Sequence, residues 1–310
     1  MAKLEYIKCA ICDENNESLL IKVKNTHGTS YISDEEFDLA QCKKCGLVYI
    51  NPRPINKEIH KYYSDNYYSP KSNIKSKIEK LVLQPYYMFL RKTYIEQFLK
   101  KGKILDIGCG SGGFINSLSK NNWEIYGIEP NQTGFALSSA ILHKKINLYN
   151  KPLSDCKFPD NYFDIITMWH VLEHIHKPNK ELQEIKRVLK DNGILIIAVP
   201  NIKSFGFKIS KKHWFHLDAP RHLYHYDSTT IKKILNHNKF EVINTAFSFT
   251  EYPLDLYHSL MNSINISKYK FIKVLFMPLI FIFSLLLKLF GPLFKSSEVM
   301  TIISKTRKGD

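Results

Sequence analysis

The run Lys103-Ile-Leu-Asp-Ile-Gly-Cys-Gly-Ser-Gly-Gly113 limits what this chain can fold into more than any other stretch. A short apolar strand, Lys103–Ile107, ends beside Asp106, and Gly108, Gly110, Gly112 and Gly113 then turn the backbone into a helix over Ser111–Lys120. Glycine lets a chain bend sharply and approach a ligand closely, and the free N–H groups of a helix start favour an anion. Further strand signals follow at Glu124–Ile128, Ile146–Tyr149, Phe163–Met168, Ile194–Val199, Phe240–Phe247 and Val299–Ser304. The unbroken apolar run at Phe163 suits a strand buried on both faces. Between the strands, Pro178–Lys190 places Leu182, Ile185, Val188 and Leu189 on one helix face, with Gly193 just beyond as a stop, and Asp227 or Ser228 caps another helix. Such alternation predicts a parallel, doubly wound α/β sheet with helices on both faces.

Glu129, in Tyr126-Gly-Ile-Glu-Pro130, ends the strand after the glycine turn, where a carboxylate can accept from both hydroxyls of a ribose. The strand-end Asp-x-Gly separates this turn from a nicotinamide-cofactor fingerprint. Together the two segments resemble motif I and the acidic motif of class I methyltransferases that use S-adenosylmethionine (SAM). Phe158-Pro-Asp-Asn-Tyr-Phe-Asp-Ile-Ile166 and Leu189-Lys-Asp-Asn-Gly-Ile-Leu-Ile-Ile197 extend the resemblance to Pro200. It implies a Rossmann-like seven-stranded sheet, with the amino-carboxylate end of SAM over Gly108–Gly112, organised by Asp106, and its ribose on Glu129. Cys109, Pro130 and Trp169 join the expected cofactor set, and Asp155 takes the place beside the adenine.

In a parallel sheet the reaction occurs beyond the carboxyl ends of the strands. The fourth strand runs there into Trp169-His-Val-Leu-Glu-His-Ile175, which contains H-x-x-E-H at His170, Glu173 and His174. That signature also marks a class of metalloproteases, a reading the methyltransferase framework argues against. A related Glu-x-x-Glu-His run helps to bind a divalent metal in ubiquinone-type O-methyltransferases, and His170 stands at its first glutamate. Methyl transfer to a hydroxyl needs a base near neutral pKa, which histidine supplies. A second histidine-rich run, His213-Trp-Phe-His-Leu-Asp-Ala-Pro-Arg-His-Leu-Tyr-His-Tyr226, resembles the acceptor-side loop of small-molecule methyltransferases among bacterial glycan-biosynthesis enzymes. His170 and His222 are the candidate bases, and His216, Arg221 and Tyr224 the candidate acceptor contacts, Arg221 for a phosphate or carboxylate.

Cys9-Ala-Ile-Cys12 and Cys42-Lys-Lys-Cys45, 29 residues apart, supply four thiolates in the spacing of a closed tetrahedral zinc site of structural type. A redox dithiol is the alternative, although one pair would suffice for it. Cys109 and Cys156 are expected as buried thiols. The stretch from Cys42 through Leu47-Val-Tyr-Ile-Asn-Pro-Arg-Pro54 to tyrosines 62, 63, 67 and 68 resembles the front end of zinc-headed methyltransferases. The expected organisation is a small zinc-ribbon-like domain over 1–55, a helical linker over 56–100 and a methyltransferase domain over 101–310, with an apolar helical insertion at 255–295.

Met1–Ala10 has no apolar core of a signal peptide, which makes cytoplasm the expected location. The net charge of +15 points to an anionic partner or membrane surface. Val274–Leu287 carries no charge over fourteen residues, too few for a span of about 20, so a helix in the membrane interface or buried in protein is expected. A small-molecule or glycan acceptor is the leading expectation. RNA O-methylation and a non-catalytic SAM-binding module are the alternatives. Against a nucleic-acid partner, the fourth strand lacks the Pro-Pro-Tyr motif of base amino methylation, and no Pro-Cys pair serves cytosine chemistry. The pattern specifies no oligomeric state.

Overall fold

The computed structural model describes residues 2–27, 30–63, 84–118, 122–142, 146–248, 252, 254–263 and 270–307. Tyr67, Tyr68 and Lys268 lie outside the described residues. The N-terminal region contains β1 (Leu4–Glu5), β2 (Glu17–His27), β3 (Ser30–Cys42), β4 (Val48–Ile50) and β5 (Arg53–Pro54). Next come α1 (Gln84–Glu96), β6 (Gly102–Ile107), α2 (Gly113–Leu118), β7 (Trp123–Ile128), α3 (Gln132–Ile141), β8 (Ile146–Tyr149) and β9 (Phe163–Trp169). The chain continues through α4 (Pro178–Val188), β10 (Leu189–Pro200), α5 (Phe205–Ser210), β11 (Tyr224–His225), α6 (Ser228–His237) and β12 (Phe240–Ser248). It closes with α7 (Asp255–Ser263), α8 (Lys270–Phe290) and β13 (Val299–Thr306).

Seven strands make one sheet in the order β12-β13-β10-β9-β6-β7-β8. The five from β10 to β8 are parallel, whereas β13 runs antiparallel to both its neighbours. The expected all-parallel sheet is corrected here: β12 ends at the same edge as β10, α7 and α8 bring the chain back to that edge, where Val299 pairs with Ser248, and β13 therefore runs the opposite way. β9 lies between β10 and β6. Its Phe163, Ile165, Ile166 and Met168 are fully buried, each contributing about 1.5–3 kcal/mol.

Two local expectations are corrected. The helix from Pro178 stops at Val188, not Lys190, and Leu189 already pairs with Phe163 on β9. Gly193 therefore lies in the irregular stretch between Leu189 and Ile194 instead of ending the helix. The helix after the glycine turn starts at Gly113, two residues later than expected, because Gly108, Gly110 and Gly112 all hold positive φ. At α6, Asp227 is the cap, with a reciprocal bond from Thr230.

The N-terminal region forms a four-stranded sheet in the order β11-β4-β3-β2. Its last strand, β11, comes from the histidine-rich run after β10, so the two halves of the chain share this sheet. Cys9, Cys42, Cys45, Leu47 and Tyr49 sit in the same apolar core as Leu182, Ile185, Tyr224 and Tyr226. Asn179 Nδ2 donates to the Ala10 carbonyl (2.6 Å) and Lys233 Nζ to that of Cys45 (2.9 Å), which ties the cysteine loops to α4 and α6.

Candidate functional site

The site gathers where β6, β7, β8, β9 and β10 all end on one edge. β7 and β9 flank β6 on opposite sides, the switch point at which such sheets hold ligands. Asp106 is buried and pairs in register with Thr167 of β9, whose hydroxyl donates to Asp106 Oδ1 (2.6 Å). Burial pushes its carboxyl up to about 7, despite the Thr167 bond. Gly108 has φ +69, and a Cβ there would lie 2.5 Å from Val171 Cγ2, so only glycine fits beneath the loop after β9. Gly110 has φ +55 and nothing within 4 Å of where a Cβ would project. That open space lies over the turn where a cofactor's polar end is expected.

Glu129 is buried and ties the turn together. Its Oε2 accepts from Gly110 N (2.9 Å) and its Oε1 from Asn131 N (2.9 Å). A carboxylate oxygen can accept more than one hydrogen bond, which is the capacity that ribose hydroxyls would use. Asn150, at the end of β8, donates to the carbonyls of Glu129 (2.8 Å) and Pro130 (3.1 Å) and fixes this corner. Pro130 is exposed, as is Asp155 in the short 3-10 turn Leu153–Asp155. Cys109 turns its thiol into the core against Gly127, and its amide is taken by the Ile128 carbonyl. Cys156 is half-buried, more open than expected. Trp169 is buried with its indole N–H unpartnered. The Arg91 guanidinium of α1 sits 4.7 Å above its ring, and Phe114 meets it edge-on at 5.4 Å.

His170 follows Trp169 with φ +58, a left-handed conformation uncommon for a residue other than glycine. Its amide donates to the Ala198 carbonyl (2.9 Å) and its Nδ1 lies 3.6 Å from Glu173 Oε1. Glu173 is buried, and neither of its oxygens has a hydrogen-bond partner. Burial works against its charge, but contact with His170 and the neighbouring His174 and His222 rings holds the carboxyl below the usual range. Tyr252, arriving from the segment before α7, meets the His170 ring edge-on at 5.0 Å and the His216 ring at 5.5 Å. Ligand atoms of Glu173, His174 and His222 lie within 4.8 Å of one another, as do those of His216, Asp255 and Glu298. The first set could hold a cation. The second is already satisfied by Lys288 on Asp255 (2.6 Å) and by Trp214 on Glu298 (2.6 Å).

Several acceptor-side expectations change. Arg221 is buried and its guanidinium is committed to the protein: Asp218 takes Nε and Nη2 (both 2.9 Å), and the carbonyls of Tyr62 (2.7 Å) and Thr26 take the rest. It locks the loop to β2 instead of presenting charge to a ligand. Tyr224 is likewise buried, bonded to Arg53 (3.0 Å) and to the His176 carbonyl (3.4 Å). His216 binds Asp255 Oδ2 (3.0 Å). His222 donates from Nδ1 to the His216 carbonyl (2.8 Å), and burial pushes its ring down to about 3. A base that weak takes a hydroxyl proton poorly near neutral pH.

The four thiols of the N-terminal region converge, with Cys9 and Cys45 Sγ 3.3 Å apart and Cys12 and Cys42 Sγ 3.5 Å apart. All four lie within 4.8 Å of one another and form no disulfide. A tetrahedral metal with bonds of about 2.3 Å requires sulfur separations of about 3.8 Å, close to this arrangement.

The family described as a methyltransferase domain matches residues 82–245, more than half of the chain. This chain belongs to that methyltransferase family. An uncharacterized methyltransferase of Schizosaccharomyces pombe is 34% identical over 114 residues, covering 33% of this chain and 41% of that protein. A ubiquinone biosynthesis O-methyltransferase of Rhodopseudomonas palustris is 25% identical over 170 residues, covering 53% of this chain and 66% of its own. The chain thus spans less than two-thirds of the length of these relatives. A SAM-dependent methyltransferase structure from Archaeoglobus fulgidus aligns with a TM-score of 0.51 at 17% identity, over 76% of this chain and all of that one, and shows the shared fold. The methyltransferase match begins at α1, the helix that brings Arg91 to Trp169.

Arg91, Asn150, Thr167 and Tyr252 were missed as site residues by the sequence reading. Thr167 was open to detection, since a polar residue inside a strand buried on both faces needs a partner. Arg91 and Tyr252 carry no such signal, because both reach the site from segments distant in sequence.

Proposed function

We propose that this methyltransferase uses SAM to methylate a hydroxyl of a small-molecule acceptor of the sugar, glycan or lipid-linked type. The observation that carries the reading is His170, held in a left-handed conformation at the end of β9 beside the buried carboxylate of Glu173. When bound, SAM supplies an electrophilic methyl on a sulfonium. Asp106, Glu129 and the glycine turn bind and orient the cofactor, and Trp169 with Arg91 closes the side against water. His170 takes the acceptor's hydroxyl proton, and Glu173 favours the imidazolium that results. Catalysis further requires the acceptor oxygen about 3 Å from the methyl, in line with the breaking bond. Tyr252 and the aromatic faces around His216 offer a wall of the kind that stacks on sugar rings.

The four cysteines hold one structural zinc, which braces the sheet shared with β11 and so the acceptor loop. Reduced thiols of this kind fit a cytoplasmic location. Methyl-labelled SAM, incubated with cell-envelope glycolipid extract or with total RNA, tests the reading. Label in the glycan or lipid fraction is expected. Label in RNA alone would replace the acceptor class, and SAM binding without transfer to either would leave a binding module.

A further inference from the structure

The α8 helix is amphipathic in the reverse of the usual sense. Ser284, Lys288 and, beyond the helix end, Gly291 face the protein, and Lys288 Nζ reaches Asp255 Oδ1 (2.6 Å) and the Tyr252 carbonyl (3.0 Å). Outward stand Phe276, Leu279, Ile282, Phe283, Leu286 and Phe290, each between 46% and 61% exposed. At 3.6 residues per turn these apolar positions, with their neighbours, sweep about 220° of the circumference. An ordinary surface helix buries an apolar stripe about 100° wide and turns its polar face to water. A helix of a second copy would cover a similar stripe and leave the rest of the arc wet. Hydrocarbon covers all of it.

Within the two stretches around the helix the charge has one sign, the flanking Asp218, Asp255 and Glu298 being buried. Leu256–Ser297 contains five lysines and no carboxylate, and Asn201–Leu217 four lysines and no carboxylate. The two stretches adjoin, since Phe205 meets Phe294 at 6.2 Å and Lys208 Nζ donates to Ser296 Oγ (2.8 Å). Lys208, Lys211, Lys212 and Lys295 are exposed beside the exposed Ile209, Leu293 and Phe294. Among the described residues no helix is long and apolar enough to cross a membrane.

We propose that α8 lies in the interface of an anionic phospholipid bilayer, with its apolar arc at the acyl boundary and these lysines among the headgroups. Lys288 and Asp255 join α8 to His216, and the Tyr252 carbonyl joins it to the ring that meets His170, so the helix is tied directly to the candidate site. This inference rests on the exposure and charge of the helix and not on the identity of the acceptor.

The test is flotation of the whole protein with phosphatidylcholine vesicles, with and without about one-third phosphatidylglycerol. Wild type floats with the anionic vesicles. Phe283→Glu with Phe290→Glu lowers the bound fraction about tenfold or more, since both rings point outward and contribute apolar area. Lys211→Glu with Lys212→Glu keeps the apolar arc and loses the preference for anionic lipid and the sensitivity to salt. SAM affinity, measured without vesicles, stays at the wild-type value in both variants and reports separately on the methyltransferase reading. A folded wild type that stays out of both vesicle types, or a solution dimer that the phenylalanine variant dissociates without any lipid binding, overturns the proposal.

Discussion

The cofactor edge and the acceptor wall meet at Trp169 and His170 but are built in opposite ways. The cofactor edge comes largely from one stretch, Asp106 to Asn131, and works mainly through backbone: positive-φ glycines, the Gly110 amide and the carboxylate of Glu129 that binds it. The acceptor wall is assembled from at least four distant segments: Tyr62 at the end of a 3-10 turn, His170–His174, His213–Tyr226 and Tyr252–Asp255. Its polar groups mostly hold the segments together, as Arg221 does between Asp218, Tyr62 and Thr26. Polar side chains are thus proposed as ligands where the backbone already fixes the shape, and act as fasteners where it does not.

Removing the proposed zinc should break this contrast most severely. Structural zinc contributes about 10–16 kcal/mol in small domains, so Cys42→Ser or strong chelation is expected to unfold the shared sheet and its acceptor wall. SAM binding should persist, which calorimetry checks alongside metal analysis. Retention of the full thermal transition without metal would show that the wall does not depend on the cysteines. For chemistry, His170→Ala is expected to lower kcat by about 10²–10⁴ with SAM affinity unchanged. An equal loss from His222→Gln in single-turnover rates would move the base across the site.

Arg221→Ala sharpens the same contrast through stability. Removing the guanidinium from buried Asp218 and from the Tyr62 and Thr26 carbonyls should cost about 3–5 kcal/mol in denaturant unfolding, with little change in SAM affinity. Glu129→Ala should do the reverse, weakening SAM by about 1.5–3 kcal/mol in titration calorimetry. If each variant shifted both quantities together, the two regions would be one cooperative unit.

The smallest net effect concerns pH, because the two regions titrate in opposite directions. Asp106 rises from 3.8 to about 7 on folding, so the stability linked to its proton is full near pH 4 and lost as pH climbs towards 7. His222 and His225 fall from 6.5 to about 3 and about 4, so their contribution is present above pH 6.5 and lost as pH drops. Between about pH 4 and 6.5 the two trends oppose each other. Asp106→Asn should steepen the acid loss seen in thermal melts, and His222→Gln should soften it.

From sequence alone the seven strands, the glycine turn with Glu129 and the paired cysteines could be read, because each depends on local spacing. Periodicity decides which face of a strand or helix is apolar, and glycine marks where φ turns positive. Strand direction at β13 was not legible, because it depends on where the α7–α8 insertion returns the chain. Nor were the duties of the histidine-rich run, because a polar side chain that fastens two segments is the same in type as one that would meet a ligand. His216, Arg221 and Tyr224 are each held by a partner from another part of the fold or loop, namely Asp255, Asp218 and Arg53. Asp255 and Arg53 come from distant segments, and the low dielectric of the interior makes an unpartnered buried polar group costly, so most of them find such a partner.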